Sequence, residues 1–200
     1  NAAASSFPAD ASLCGLQEGD QLTLGDLLYG LLLSSGNDAA TAIAEHISGS
    51  EEAFVEEMNA RAKELMAVNT HFTNPHGLHD DNHYTTAYDL YLIFNTCIQN
   101  EEFMKVIEAE SYTASIKEAD GSVRTEEWKP TNYYARGIVN APDGVTVVGG
   151  KTGTTGEAGY CLILLDRNSA DHPYISIVMG AGSRDILYQN MNALLEGTQN

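Results

Sequence analysis

Basic residues, cysteine and long hydrophobic runs are all scarce in this sequence. Ten lysines and arginines stand against 28 acidic residues, which gives a formal net charge of −18. Such a field repels phosphate groups, so nucleic acid and anionic lipid are poor partners. The most apolar run, 27–33, is interrupted by Tyr29 and Gly30 and is much shorter than the ~18 residues of a membrane span. The first residues show neither the basic head nor the apolar stretch of a secretory signal, and we expect no such segment within this sequence.

Cysteine and histidine form no clear disulfide or metal pattern. Cys14, Cys97 and Cys161 are far apart and include no C-x-x-C pair, which argues against a disulfide scaffold and a zinc ribbon. Cys97 and Cys161 stand in apolar stretches, and we interpret them as inert core thiols. The polar loop 69–84 is rich in histidine, but its spacing lacks the helical i, i+4 pairing of zinc hydrolases. We therefore expect no metal and no cofactor, although a zinc site could be sought among His71, His76, His79, His83, Asp80 and Asp81.

The hydrophobic pattern predicts one α+β domain. Helical periodicity predicts helices at 24–33, 38–47, 51–66 and 87–98, and a short amphipathic turn at 102–107. Hydroxyl residues stand at three of the predicted N-caps: Thr23, Ser50 and Thr86, the last with Asp89 at the spacing of a capping box. From residue 111 the pattern changes to short β-rich runs at 111–116, 122–126, 145–150, 159–166 and 174–180, and a last helix is predicted at 184–195. The layout is a helical part over about 23–110, then an antiparallel sheet with a terminal helix over about 111–200.

Two tripeptides carry the chemistry that the sequence suggests. Ser35-Gly36-Asn37 interrupts an apolar helical stretch, where it would present a hydroxyl and a carboxamide from one rigid point. Lys151-Thr152-Gly153 opens a run of β-strands, and the absence of side chains at Gly150 and Gly153 would leave open backbone beside a positive charge. An extended peptide could lie along that strand with its terminal carboxylate near Lys151.

These motifs occur in an order that resembles a known family. The sequence around the first motif, Gly19 to Ala40, the landmark Asn74-Pro75-His76-Gly77-Leu78 and the run Lys151 to Tyr160 are similar to the low-molecular-mass, penicillin-binding D-alanyl-D-alanine carboxypeptidases. The resemblance covers most of the chain. It implies a β-lactamase/transpeptidase-like fold and a serine-type reaction, in which an acyl-enzyme forms as the terminal D-alanine leaves.

The resemblance also implies roles for individual residues. Ser35 would relay a proton towards the leaving amine, Asn37 would bind the amide region of the substrate, and Lys151 would supply positive potential. The Thr154 N–H would be one oxyanion-hole donor. Substrate-binding residues would be Thr152, Gly153, Thr154, His76 and Arg184, with His76 hydrogen-bonding near Lys151 and Arg184 meeting the carboxylate.

The sequence departs from the family in one large respect. No serine stands three residues before any lysine, so the S-x-x-K motif with the family's nucleophile is absent from these 200 residues. Only 34 residues precede Ser35, so we also expect the first strands and the central nucleophile helix of the family to be missing. The remaining piece should expose apolar surface that the missing N-terminal segment or another chain covers, and it should form no acyl-enzyme alone.

The implied partners are peptidoglycan stem peptides ending in D-Ala-D-Ala and β-lactam antibiotics, and the implied location is the extracytoplasmic cell envelope. Two alternatives stay open. One is a peptidoglycan endopeptidase or a β-lactamase of the same fold, although no clear E-x-x-L-N motif follows Ser35. The other is a catalytically dead domain that binds peptidoglycan or a protein partner.

Overall fold

A computed structural model describes residues 7–9 and 11–199 of the chain. Within them, the helices are α1 (Leu24–Ser34), α2 (Asn37–Ser48), α3 (Glu51–Glu64), α4 (Ala87–Cys97), α5 (Glu101–Ile107) and α6 (Arg184–Gly197). The strands are β1 (Tyr112–Lys117), β2 (Val123–Trp128), β3 (Thr146–Thr155), β4 (Gly159–Arg167) and β5 (Pro173–Ala181). In the part of the chain that the structure describes, no helix is long and apolar enough to cross a membrane.

Side-chain caps fix where the helices begin. Thr23 and Asp26 form a reciprocal capping box at α1, because each side chain accepts a hydrogen bond from the backbone N–H of the other residue. The capping box predicted at α4 is only half formed. Thr86 accepts from the Asp89 N–H, but the Asp89 carboxylate accepts from the Asn69 N–H and the Thr70 hydroxyl. A tertiary contact has replaced the local one.

The predicted strands pair as two antiparallel sheets. β1 and β2 form a separate hairpin, while β3, β4 and β5 form a three-stranded sheet in the order β3-β4-β5. In the larger sheet Lys151 of β3 is opposite Ile163 of β4, and a register shift between Val147 and Gly149 interrupts the first part of that pairing. Within each sheet, consecutive strands are joined by a short turn, as the alternation of short runs and turn residues indicates, whereas a long loop connects β2 to β3.

The larger sheet is covered on both faces. On one face, α6 packs against β4 through Leu162, Leu164, Leu187, Tyr188, Met191 and Leu195. On the other face, Leu165 packs with Phe94 of α4 and Ile107 of α5. The hairpin instead packs against the helical part, because Ile116 and Trp128 share a buried cluster with Cys14 and Leu33. This arrangement of helices and antiparallel sheets confirms the α+β class.

Candidate active site

The Ser35-Gly36-Asn37 motif is the junction between α1 and α2. Ser35 caps α1 in the left-handed conformation (φ 59°, ψ 37°), which is unusual for a residue other than glycine. The chain then reverses at Gly36, where a β-carbon would lie 2.8 Å from the Cys14 β-carbon and 2.9 Å from a carboxylate oxygen of Asp38. No larger residue fits there without movement of the neighbouring backbone or side chains. The buried turn therefore fixes the position of the Ser35 hydroxyl.

Asp38 ties this turn to residues 14–16, an N-terminal segment that no sequence motif marks. Its buried carboxylate accepts hydrogen bonds from the backbone N–H groups of Cys14 (2.9 Å), Gly15 (3.1 Å) and Leu16 (3.0 Å). The adjacent Asn37 N–H donates to the Ser12 carbonyl at 2.8 Å. Because the partners of Asp38 are 22–24 residues away in sequence, no local pattern could have indicated these contacts.

Lys151 reaches across from β3 to the helix junction. Its Nζ donates to Ser35 Oγ at 2.8 Å and to the Thr152 carbonyl at 2.6 Å. Burial lowers the pKa of the Lys151 ammonium to about 8. The ammonium donates to the Ser35 oxygen, so the hydroxyl hydrogen of Ser35 is free to point towards another acceptor. The structure thus brings together two motifs that are 116 residues apart.

Ser35 and Lys151 line a cleft of about 790 Å³, which we call the Ser35–Lys151 cleft. Every predicted site residue borders it: Ser35, Asn37, His76, Lys151, Thr152, Gly153, Thr154 and Arg184. The cleft is also lined by residues that no sequence motif marks, among them Thr131, Tyr133, Arg136 and Glu157. They lie in loops whose sequence carries no distinctive spacing, so only the tertiary fold reveals them.

The Lys151-Thr152-Gly153 motif supplies the strand edge of the cleft. Gly153 leaves open space, since a β-carbon there would meet no other atom within 4 Å. The same expectation for Gly150 is wrong: a β-carbon would lie 2.1 Å from the Ile163 carbonyl oxygen, so this glycine allows β3 and β4 to approach each other closely. The Thr152 hydroxyl hydrogen-bonds to the Thr131 hydroxyl at 2.5 Å, which ties β3 to the loop that precedes it.

His76 is in the cleft, but its hydrogen bond is to its own loop. Its Nδ1 accepts from the Leu78 N–H at 3.2 Å, and the Phe7 ring packs edge-on against it at 5.4 Å. Burial lowers the pKa of His76, an effect that the charge of Glu51 partly opposes. Among the described residues, no hydrogen bond joins His76 to Lys151. The two residues line the same cleft, but the predicted hydrogen bond is not observed.

Arg184 is held at the start of α6, directly after β5. Its Nη1 donates to the Tyr133 hydroxyl at 2.8 Å. The guanidinium carbon also stands 5.2 Å from the Tyr133 ring centroid and 5.8 Å from that of Tyr160. These contacts fix the cation beside the strand edge where the sequence predicts a substrate carboxylate.

The histidines of the 69–84 loop each have a local partner. His71 Nδ1 is 2.6 Å from the Asn82 carbonyl, and His83 Nδ1 accepts from the Thr73 N–H at 3.2 Å. His79 approaches Asp81 (3.3 Å) and Glu157 (3.8 Å). Over residues 7–9 and 11–199, no three metal-ligating side chains are grouped as a metal ion would require.

Comparisons with known proteins agree with this geometry. A family model described as D-alanyl-D-alanine carboxypeptidase matches residues 1–183. The chain is 36% identical over 168 residues to D-alanyl-D-alanine carboxypeptidase DacF of Bacillus subtilis, an alignment that covers 84% of this chain and 40% of that protein. It is 39% identical over 152 residues to a D-alanyl-D-alanine carboxypeptidase of Streptomyces sp. K15, covering 72% of this chain and 50% of the relative.

Solved structures give the same result. The crystal structure of the Streptomyces K15 DD-transpeptidase matches with a TM-score of 0.83 and 31% identity, over 94% of this chain and 72% of that one. The D-alanyl-D-alanine carboxypeptidase DacD of Francisella tularensis matches with a TM-score of 0.81 and 27% identity, over 97% and 55% of the two chains. The chain spans only 40–50% of the length of the two curated relatives above. With the family model matching most of its residues, the chain belongs to the D-alanyl-D-alanine carboxypeptidase family.

Proposed function

We propose that this chain forms part of the catalytic domain of a serine-type D-Ala-D-Ala carboxypeptidase that acts on peptidoglycan stem peptides and is acylated by β-lactams. The observation that carries the proposal is the 2.8 Å contact between Lys151 Nζ and Ser35 Oγ in a cleft large enough for a peptide end. The family match adds independent support.

The cleft suits a peptide that ends in a carboxylate. An extended substrate would lie along the open edge of β3, where Gly153 presents no side chain. Its terminal carboxylate would be held by Thr152, Thr154 and Arg184, and Asn37 would bind an amide of the substrate. The Thr154 N–H would donate to the oxyanion that forms when the scissile carbonyl is attacked.

Proton transfer would pass through Ser35. The nucleophilic serine gives its proton to the lysine of its own motif as it adds to the carbonyl carbon, the C–N bond to the terminal D-alanine then breaks, and the departing amine needs a proton. The Ser35 hydroxyl can donate that proton and take another from the Lys151 ammonium at 2.8 Å, whose lowered pKa of about 8 eases the transfer. Water then hydrolyses the resulting ester and regenerates the nucleophile.

The nucleophile itself has to come from outside these 200 residues, which contain no S-x-x-K motif. We propose that an additional segment of the protein supplies that serine and its lysine and packs over apolar surface of this chain. Met66, Val68 and Tyr88 are each more than 60% exposed, and such a segment is one way to cover side chains of this kind. The substrate implies an exported protein that faces the cell wall.

The test uses the complete gene product with its upstream segment. It should bind a fluorescent penicillin covalently and release D-alanine from a diacetyl-Lys-D-Ala-D-Ala peptide. Replacing Ser35 or Lys151 by alanine should lower the rate of acylation about 10²–10⁴-fold, because each removes a step of the proton path. Lys63→Ala, which removes a positive charge from α3 outside the cleft, should leave the rate unchanged.

The outcomes separate the candidate functions. Labelling together with D-alanine release supports the carboxypeptidase. Labelling without release would indicate an endopeptidase or a β-lactamase, and no labelling of the complete protein would indicate a binding domain without catalysis. The 200-residue chain is a matched control, because it should show no penicillin adduct by mass spectrometry.

A further inference from the structure

The cations that have no acidic partner are concentrated in one place. Of the ten lysines and arginines, five form ion pairs with carboxylates: Arg61, Lys105, Arg124, Lys129 and Arg167. For the other five, no ion pair occurs within the described part of the chain. Three of these, Arg136, Lys151 and Arg184, line the Ser35–Lys151 cleft. In a protein with a net charge of −18, three unpaired cations in one cleft indicate an anionic ligand.

Arg136 is the cation whose position neither motif explains. It lies in the loop between β2 and β3, where its N–H donates to the Asn132 carbonyl at 3.3 Å. Its side chain is exposed, and its guanidinium carbon stands 5.7 Å from the Tyr133 ring centroid. Glu157 also lines the cleft, but it faces His79 at 3.8 Å and is not in an ion pair with Arg136.

Tyr133 holds the two arginines in a fixed relation. Its ring stacks on Tyr188 at 5.0 Å with an interplanar angle of 7°, and its backbone N–H donates to the Tyr188 hydroxyl at 2.8 Å. Arg184 and Arg136 approach this one ring at 5.2 and 5.7 Å. The two guanidinium carbons are therefore no farther apart than the combined length of those distances, which is about the reach of three extended residues at ~3.3–3.6 Å each.

We propose that Arg136 forms a second anion subsite, which binds an acidic side chain of the substrate while Arg184 binds the terminal carboxylate. The inference rests on the proposed function. A gap of at most that combined length between the two guanidinium carbons can be spanned by a peptide with two carboxylates: one at its C-terminus and one on the side chain of the third residue from that end. The planar guanidinium suits a carboxylate better than a neutral amide, so this subsite would make the enzyme prefer acidic third residues over their amidated forms.

A pair of peptides that differ in one group tests the subsite. The complete gene product, with the serine of its S-x-x-K motif replaced by alanine so that peptides bind without turnover, is titrated at low salt with acetyl-Glu-D-Ala-D-Ala and acetyl-Gln-D-Ala-D-Ala, and each Kd is measured by chemical-shift titration. The glutamate peptide should bind about two- to five-fold more tightly, the range expected of an exposed ion pair. That preference should shrink when the salt concentration is raised to ~0.5 M.

Variants locate the effect. Arg136→Gln should remove the preference and leave the Kd of the glutamine peptide unchanged, while Arg184→Gln should weaken the binding of both peptides. Lys63→Gln, which changes the net charge equally outside the cleft, should keep the preference. If both peptides bind equally well to the protein with Arg136 intact, or if Lys63→Gln abolishes the preference as Arg136→Gln does, the subsite is refuted and the proposed function stands. If neither peptide binds, both proposals fail.

Discussion

Asp38 offers the sharpest test of how the helix junction is held in place. Its carboxylate accepts from three backbone N–H groups of residues 14–16 and from the Ala39 N–H at 3.0 Å. In Asp38→Ala these donors lose their acceptor, and Cys14 is among them at 4% exposure. Hydrogen bonds to charged groups contribute about 1.5–3 kcal/mol each and do not add fully, so we expect the free energy of unfolding to fall by about 3–5 kcal/mol.

The assay can use the protein's own chromophore. Trp128 is the single tryptophan, is 3% exposed, and donates its Nε1–H to the Cys14 carbonyl at 2.9 Å. Urea unfolding followed by its fluorescence therefore reports on the segment that Asp38 holds. Amide hydrogen exchange should show faster exchange at Cys14, Gly15 and Leu16 in the variant, because their N–H groups have lost the carboxylate.

Asp120→Ala is the matched control. Its carboxylate accepts from the Ser122 N–H at 2.8 Å, but in an exposed hairpin turn, so its loss should cost less than about 1 kcal/mol. A loss of stability for Asp38→Ala no larger than for Asp120→Ala would refute the reasoning. So would unchanged exchange rates at residues 14–16.

Three further predictions concern two buried titratable side chains and the packing around Gly36. The pKa of Lys151 is about 8, below that of an unfolded lysine, so the unfolded chain binds more protons than the folded chain between pH 8 and ~10.4. The free energy of unfolding, measured relative to Lys151→Met, should therefore rise by about 2–3 kcal/mol from pH 7.5 to 10.5. A difference that does not change with pH would contradict this. Burial raises the pKa of Asp166 to about 6, and the hydrogen bond from Ser176 only partly opposes this shift. The stability of the folded state therefore falls as pH rises through 6. Asp166→Asn should stabilise the protein by about 1–3 kcal/mol at pH 7.5 and hardly at pH 4, which thermal unfolding at the two pH values checks. Gly36→Ala should destabilise by about 1–3 kcal/mol through overpacking, whereas Gly153→Ala, with open space around it, should cost less than about 1 kcal/mol in urea unfolding; equal losses would mean that the junction is not tightly packed.

Local sequence signals predicted most of the secondary structure. The caps at Thr23 and Ser50 mark the observed starts of α1 and α3, and the β-rich runs after residue 111 correspond to β1 to β5. The predicted helix ends were less accurate where the end depends on backbone geometry. We expected α3 to run to residue 66, but it ends at Glu64, and Met66 adopts a left-handed φ of 63°.

The site was predictable only where a motif marks it. Ser35 and Lys151 were found because each lies in a short tripeptide motif, and the structure brings them together. Asp38 and Arg136 were not found, because their roles depend on partners far away in sequence. Gly150 was misjudged for the same reason: its small size serves the contact with β4, which a single strand's sequence does not reveal.

The central claim is that the Ser35–Lys151 cleft receives a peptide's terminal carboxylate. The most direct measurement is a titration of ¹⁵N-labelled protein with acetyl-D-Ala-D-Ala and with the same peptide ending in a carboxamide. The account predicts that the amide signals of Lys151 to Thr154 shift, and that the carboxylate form binds about ten-fold more tightly, as one or two charge-assisted hydrogen bonds would give. Equal affinities, or shifts confined to residues away from the cleft, would contradict it.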